Sequence, residues 1–208
     1  MTKLYYSPGS CALGIHIILE EIGKPYELAL VNTRENEQNQ PAYLAINPKA
    51  KVPALDIGAG KVLTQWPAIA QYLAMSHPEA KLWPTGLVES ARCAEAVDYI
   101  CGSVHPMGFT RQYRAGNFAA NEADQPRVIA QAKEFATKAF EILDAQWGEK
   151  PWFLETGYSV ADAALFFVTY WATRRSGMTL PPKLARHLDA MLARPAVQRM
   201  LAQEKLAA

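Results

Sequence analysis

Tyr5-Tyr6-Ser7-Pro8-Gly9-Ser10-Cys11, followed by residues 12–23, decides how this chain reads. Leu4, Tyr5 and Tyr6 are the apolar and aromatic types that suit a pleated strand. Pro8-Gly9 is a turn dipeptide, because proline presets φ and glycine accepts a positive one. Ser10 is a good N-cap, so the helix is expected to start at Cys11. Leu13, Ile17 and Ile18 keep helical spacing, and Gly23 followed by Pro25 supplies the stop. A thiol in the first turn of a helix faces unpaired backbone N–H groups and the positive end of the macrodipole. Both favour thiolate over thiol, so Cys11 is expected to be more acidic than a free cysteine. The competing reading is a half-buried structural cysteine, since free Cys is among the most buried residue types.

Working outward, residues 26–31 alternate as a strand should. Strand, helix, strand at this spacing is a βαβ unit, which makes the two strands parallel. Residues 32–40 are polar and read as a surface loop, and Tyr43, Leu44 and Ile46 suggest a short irregular helix. Residues 51–57 form the next strand. Its Pro53 cannot donate to a ladder, so it belongs at an edge or at the first residue. Gly58-Ala59-Gly60 reads as a hairpin loop with 61–63 returning. Residues 64–76 then read as a helix with Pro67 in its first turn. Residues 77–86 hold two prolines and a glycine without periodicity, which marks a linker. The expected division is a first domain over 1–76, of order β-α-β-α-β-β-α, and a helical second domain over 87–208.

The second part opens with a long helix over residues 87–113, bent near Pro106 and Gly108. After a polar loop, Pro126 starts a helix whose expected stripe is Ile129, Ala132, Phe135, Ala136, Phe140, Leu143 and Trp147. Ser159 with Asp162 three residues on is a capping box, the aspartate standing in for glutamate. It introduces the apolar run 163–173, which reads as a helix buried on all sides. Two further helices are expected over 182–192 and 195–205.

Composition narrows the functional classes. Half of the 208 residues are hydrophobic and the net charge is +1, so nothing electrostatic points to nucleic acid or an anionic membrane. Pro8-Gly9 breaks any N-terminal signal-like run, and the 163–173 stretch is far too short to span a bilayer. The three cysteines form no Cys-x-x-Cys, and on one helix Cys93 and Cys101 would stand about 12 Å apart, beyond disulfide reach. That fits a reducing cytoplasm. His16, His77, His105 and His187 are scattered, so no metal site is expected.

The order β-α-β-α-β-β-α, a Pro-rich linker and an all-helical domain resembles the cytosolic glutathione S-transferase family, with its thioredoxin-like first domain. Four stretches carry the resemblance: residues 4–11 (LYYSPGSC), 45–55 (AINPKAKVPAL), 63–73 (LTQWPAIAQYL) and 159–164 (SVADAA). The bacterial beta class, which also places a cysteine at the start of its first helix, is the most similar subgroup. The resemblance implies a bacterial homodimeric detoxification enzyme that uses glutathione as co-substrate against a small hydrophobic electrophile. It implies a cis bond at Val52-Pro53, with the Val52 backbone on the cysteinyl part of glutathione. Cys11 would face the glutathione sulfur, with Ser10 and Tyr6 beside it as competing hydrogen-bonding groups. Gln65 and Trp66 would face the γ-glutamyl group, and His105 would reach toward the sulfur. Ser159 and Asp162 match a folding-related capping box of the family.

Physical chemistry speaks to these assignments separately. Helix N-termini bind carboxylates, and an open strand edge starting at Val52 can pair with a peptide-like ligand. Lys51 and Arg34 could neutralise a glycyl carboxylate, although solvated surface charge is the plainer reading. Phe109 and Tyr113 follow His105 at helical spacing and are the candidates to line an electrophile pocket, with packing as the alternative. Trp66 departs from the family's usual Ser or Thr: an indole has one N–H to donate and no acceptor. Weaker or altered glutathione binding is expected. Two reactions fit the residues. Glutathione thiolate could be presented to an electrophile, or Cys11 could exchange with a disulfide, glutathione resolving it because no second cysteine lies near in sequence. A binding or regulatory module without turnover is the third reading.

Overall fold

The computed structural model describes residues 1–207. Its contacts divide the chain into two compact units: residues 1–83 with the segment from Leu192 onward, and residues 84–191.

The first unit is built on a four-stranded mixed sheet of order β2-β1-β3-β4. Strand β1 (Thr2–Tyr6) leads through α1 (Ala12–Ile22) to β2 (Tyr26–Leu30), and β1 and β2 pair in parallel from Thr2↔Tyr26 to Tyr6↔Leu30. This is the βαβ unit that the spacing predicts. Gly23 closes α1 in the left-handed region at φ 68°, its N–H bonded to the Leu19 carbonyl. After the single turn of α2 (Pro41–Leu44) come β3 (Ala54–Asp56), antiparallel to β1, and β4 (Val62–Thr64), antiparallel to β3. Strand β3 therefore lies inside the sheet, and β2 and β4 are its edges. Pro53 stands just before the first ladder residue, where its missing N–H breaks no sheet bond. The pairing edge expected to begin at Val52 is thus shorter than the sequence reading had it: β1 and β4 already occupy both sides of Ala54–Asp56.

Helix α3 (Trp66–Ser76) closes the N-terminal part of this unit. The sequence reading grouped the last helix with the second domain, but α9 (Pro195–Glu204) packs against α1 in the first unit. Two polar ties accompany that packing: Arg194 bonds Glu21 at 2.7 Å and Arg199 bonds Glu20 at 2.5 Å.

The second unit is helical. Helix α4 (Leu87–Asp98) continues into a π-helical stretch (Tyr99–Thr110) and the single turn α5 (Arg111–Tyr113). Pro106 lies inside the π-helical stretch, at the irregularity expected from its missing N–H. Helix α6 (Gln125–Gln146) crosses it closely enough that a Cβ built on Gly108 would lie 3.1 Å from that of Ala136. The buried stripe of α6 includes Val128 and Ala139, while Ile129 and Phe135 are half-buried. Helix α7 (Val160–Arg174) is buried from Val160 to Ala172 and starts on a complete capping box. The Ser159 N–H donates to Asp162 Oδ2 at 2.8 Å, and the Ala161 N–H to Ser159 Oγ at 3.2 Å. Helix α8 (Pro182–Leu192) follows, and its His187 meets Asp162 at 3.1 Å. Among the described residues no helix is long and apolar enough to cross a membrane.

Candidate active site

The loop between β1 and α1 presents Ser10 and Cys11. Ser10 Oγ accepts the Ala12 N–H at 3.2 Å, and Cys11 is already in the right-handed helical region at φ −60°. The helix starts at Ala12, one residue later than expected, with Cys11 at the N-cap position, and Ser10 stands just before it with its hydroxyl on the Ala12 N–H. Its Sγ–H donates to the Val52 carbonyl at 3.5 Å, which joins this loop to the segment that enters β3. The Val52-Pro53 bond is cis.

Several groups hold that segment in place. Tyr43 Oη and Asn47 Nδ2 both donate to the Lys51 carbonyl, at 2.8 and 2.6 Å. Asn47 Oδ1 accepts the Lys49 N–H at 3.1 Å, and Lys49 Nζ reaches Thr64 Oγ1 on β4 at 2.5 Å. Buried Asn47 satisfies its amide at both ends, which fixes the turn before Val52. The sequence places Tyr43 in a short helix and Asn47 at its end, but gives neither a role at this carbonyl. An Asn-Pro pair does signal a turn, but nothing in it says which carbonyl the side chain will hold.

Electrostatics corrects one expectation. The Cys11 thiol is half-buried, and burial pushes it up to about 12. The backbone N–H and the nearby Lys51 ammonium act in the other direction, but desolvation outweighs them. The cysteine is a protonated donor at neutral pH, where the helix N-terminus alone would have favoured thiolate.

Trp66 is the second departure. Its side chain is only 5% exposed and turns inward, and its Nε1–H donates to the Cys11 carbonyl at 3.0 Å. The indole ties α3 to the start of α1. Gln65, just before it, is exposed with φ 77°, a left-handed value that costs a non-glycine residue about 1 kcal/mol or more. Lys51 and Arg34 are both exposed, and the Arg34 backbone N–H donates to Asn32 Oδ1 at 3.2 Å. Tyr6 is 9% exposed, its ring edge-on to His16 at 6.0 Å; burial first, and then Glu204, raises its hydroxyl. No hydrogen bond joins Tyr6 to Cys11 among the described residues, and its ring packs beside α1.

In the helical unit, His105 is half-buried and edge-on to Phe167 at 5.5 Å and Trp171 at 5.1 Å. Phe109 is fully buried among Phe140, Trp171 and Tyr113. A ring with no exposure cannot line an open pocket, so Phe109 belongs to the core and the pocket assignment is corrected. Tyr113 is half-buried; its Oη meets Ser176 Oγ at 3.0 Å, and the Arg175 guanidinium lies 4.3 Å from its ring centre. Burial raises its hydroxyl, with Ser176 and Arg175 opposing. Among the described residues, no group of three or more His, Cys, Asp or Glu could hold a metal ion.

A mixed four-stranded sheet with a cis-proline entering β3 and a cysteine at the first helix, in a chain that also carries a helical unit, defines a protein of thioredoxin-like build. Comparison with known proteins names the family. The glutathione S-transferase N-terminal domain model matches residues 1–75, and the C-terminal domain model matches residues 127–190. The chain is 34% identical over 207 residues to glutathione S-transferase GstA of Escherichia coli O157:H7, covering 98% of this chain and 99% of that one. It is 26% identical over 217 residues to the disulfide-bond oxidoreductase YfcG of Escherichia coli K12, covering 99% and 97%. A glutathione transferase homologue from Sulfitobacter with bound glutathione superposes with a TM-score of 0.91 at 29% identity, covering 99% of each chain. A bacterial beta-class enzyme from Sphingomonas chungbukensis gives 0.86 at 28%, covering 99% and 100%. The chain belongs to the glutathione S-transferase family.

Proposed function

We propose that this protein conjugates glutathione to small hydrophobic electrophiles, with Cys11 as the donor that holds the glutathione sulfur as thiolate. The observation that carries the reading is the 3.5 Å contact between Cys11 Sγ and the Val52 carbonyl, at the start of α1 and beside the cis-proline. The cysteinyl backbone of glutathione would pair with Val52, and Cys11 would exchange its carbonyl acceptor for the incoming sulfur. A thiol pushed up to about 12 is a poor nucleophile at neutral pH but a competent S–H donor. The glutathione thiol gives its proton to solvent, and its sulfur attacks the electrophilic carbon. A carbon–sulfur bond forms, the leaving group departs with its electron pair, and Cys11 keeps its proton. Lys51, Arg34 and the backbone at Gln65 and Trp66 would hold the two carboxylates, Ser10 would keep the first turn in shape, and His105 would assist at the sulfur. Exposed Leu87 and Val88 on α4 offer apolar surface for the homodimer that the family implies. Three free cysteines suit work in the cytoplasm.

Glutathione titration by calorimetry, followed by turnover with a chlorinated dinitrobenzene and with hydroxyethyl disulfide, tests this reading. Binding with turnover of the first substrate is expected, reduced about tenfold or more in Cys11→Ala, the scale on which loss of one sulfur-stabilising donor acts. Turnover of the disulfide alone, with a glutathione adduct on Cys11 in the intact mass, would transfer the protein to thiol–disulfide exchange. No binding and no turnover would leave a non-catalytic module.

A further inference from the structure

The turn that carries Ser10 and Cys11 is fastened from the far end of the chain. Glu204, on the last turn of α9, is buried at 4% exposure. Its Oε2 accepts the Gly9 N–H at 2.9 Å and its Oε1 meets His16 Nδ1 at 2.8 Å. Gly9 sits at φ 69°, in the left-handed region, with Leu206 lying over it. His16 is fully buried on α1, so one carboxylate bridges the turn before the cysteine and the helix after it. The network continues behind His16. Its Nε2 lies 2.7 Å from Gln203 Oε1 and 2.9 Å from Tyr26 Oη, and Gln203 Nε2 donates to Glu20 Oε1 at 2.9 Å. That amide direction turns Gln203 Oε1 toward His16, so the imidazole donates from Nε2. Tyr26 also donates to Glu20 through a short bond, and Arg199 Nε donates to Glu20 Oε2. Every polar member of this cluster has a partner, and such a network stiffens what it touches.

We infer that Glu204 is a positioning residue for the sulfur site: by accepting the Gly9 N–H and clamping His16, it sets the Pro8-Gly9 turn and with it where the Cys11 thiol points. This role rests on the proposed glutathione chemistry. Glu204 touches neither Cys11 nor a ligand position in the structure; it acts through the Gly9 backbone. The shape of the turn, and not the charge, is what the site needs. A glutamine at 204 keeps the Gly9 acceptor, and its amide N–H can pair with His16 Nδ1 in the ring tautomer that carries its proton on Nε2, where the parent carboxylate accepts from Nδ1 instead. A methionine fills nearly the same volume and can do neither.

Glu204→Met and Glu204→Gln separate the two roles. With the Met variant folded by circular dichroism, kcat for the chlorinated dinitrobenzene at saturating glutathione is expected to fall about tenfold while the glutathione KM changes less than threefold, the split expected when a reacting group is misplaced and peptide binding at Val52 survives. The Gln variant restores kcat to within about threefold. Iodoacetamide labelling of Cys11, followed by peptide mass spectrometry, reads the same geometry without glutathione: faster in Met, near the parent rate in Gln. If the parent protein does not bind or turn over glutathione but the labelling contrast appears, the positioning stands and the proposed chemistry fails. A Met variant with parental kcat and parental labelling, changed only in melting temperature, overturns the inference and leaves Glu204 a packing residue. A Gln variant as impaired as Met overturns it as well.

Discussion

At Cys11 two opposing forces meet, and their sizes decide the chemistry. The first turn of a helix favours thiolate by a fraction of a kcal/mol to about 2 kcal/mol, whereas taking a thiolate out of water costs more. The result is a thiol pushed up to about 12. Iodoacetamide labelling of Cys11 is therefore expected to rise about tenfold per pH unit from 8 to 10 with no plateau near 8.5. A plateau there would show an ordinary thiol. Removing the Lys51 ammonium, which pulls the thiol down, should slow labelling further, and Lys51→Ala measured in the same series checks it. Trp66 poses a different residue-scale question. Its indole N–H holds the Cys11 carbonyl from beneath the surface. Trp66→Phe keeps most of the buried ring and loses that bond, a cost of about 1–2 kcal/mol. Trp66→Ser, the residue type usual in the family, leaves a cavity and should cost about 3–5 kcal/mol. Urea unfolding of both variants measures the difference; equal losses would mean that the ring volume contributes little. The sequence made the unusual tryptophan visible, but its direction was not. Nothing local distinguishes an indole turned toward a ligand from one turned toward the carbonyl of a residue 55 positions away.

Elements were more legible than side chains, for a physical reason. The β1–α1–β2 unit, the β3–β4 hairpin and the capping box of α7 are set by short-range signals: alternation, Pro-Gly and Gly-Ala-Gly turns, and Ser three residues before Asp. The position of β3 inside the sheet was not legible, because strand order is decided by which edges meet after collapse. Glu204 was invisible for the same reason: its partners, Gly9 and His16, lie almost the whole chain away. Phe109 looked like a pocket residue because helical spacing places it one turn beyond His105, yet that spacing does not say which neighbours fill the space. The neighbour is α6. Its Ala136 comes so near Gly108 that an added Cβ would lie 3.1 Å from the Ala136 Cβ and 3.5 Å from its Cα. Backbone on both sides leaves little room to yield. Gly108→Ala should destabilise by about 1–3 kcal/mol despite alanine's better helix propensity, which is worth at most about 1 kcal/mol. Ala136→Gly in the same chain should recover part of that loss, as a double-mutant cycle in urea would show. Independent, additive losses would remove the close approach as the cause.

For the whole molecule, the shifted groups lean one way. Cys11, Cys93 and Tyr43 are each pushed up to about 12, chiefly by burial, from ordinary values of 9.0, 9.0 and 10.0. Tyr26 and Tyr113 are raised too, burial again leading. These groups are neutral when protonated, so the folded state binds their protons more tightly than the unfolded chain does. Their contribution is fully present below about pH 9, the unfolded thiol range, and is lost as pH climbs toward 12. The carboxylate side acts in the opposite sense. Glu20 is held low against burial by Tyr26, Arg199 and Gln203, so what it contributes is present above the ordinary carboxylate range and lost in acid. The expected profile of unfolding free energy is a plateau at neutral pH, with a decline that begins near pH 9 and steepens by 10.5. Urea midpoints at pH 7, 9 and 10.5 trace it. Cys93 makes the attribution testable, since it is buried beside the capping-box region of α7: burial raises its thiol most, Ser159 lowers it and Asp162 raises it. In Cys93→Ala the midpoint at pH 7 falls for the lost packing, but the further drop between pH 9 and 10.5 should be smaller than in the parent. An alkaline decline of the same size in both proteins would assign it to groups other than this thiol.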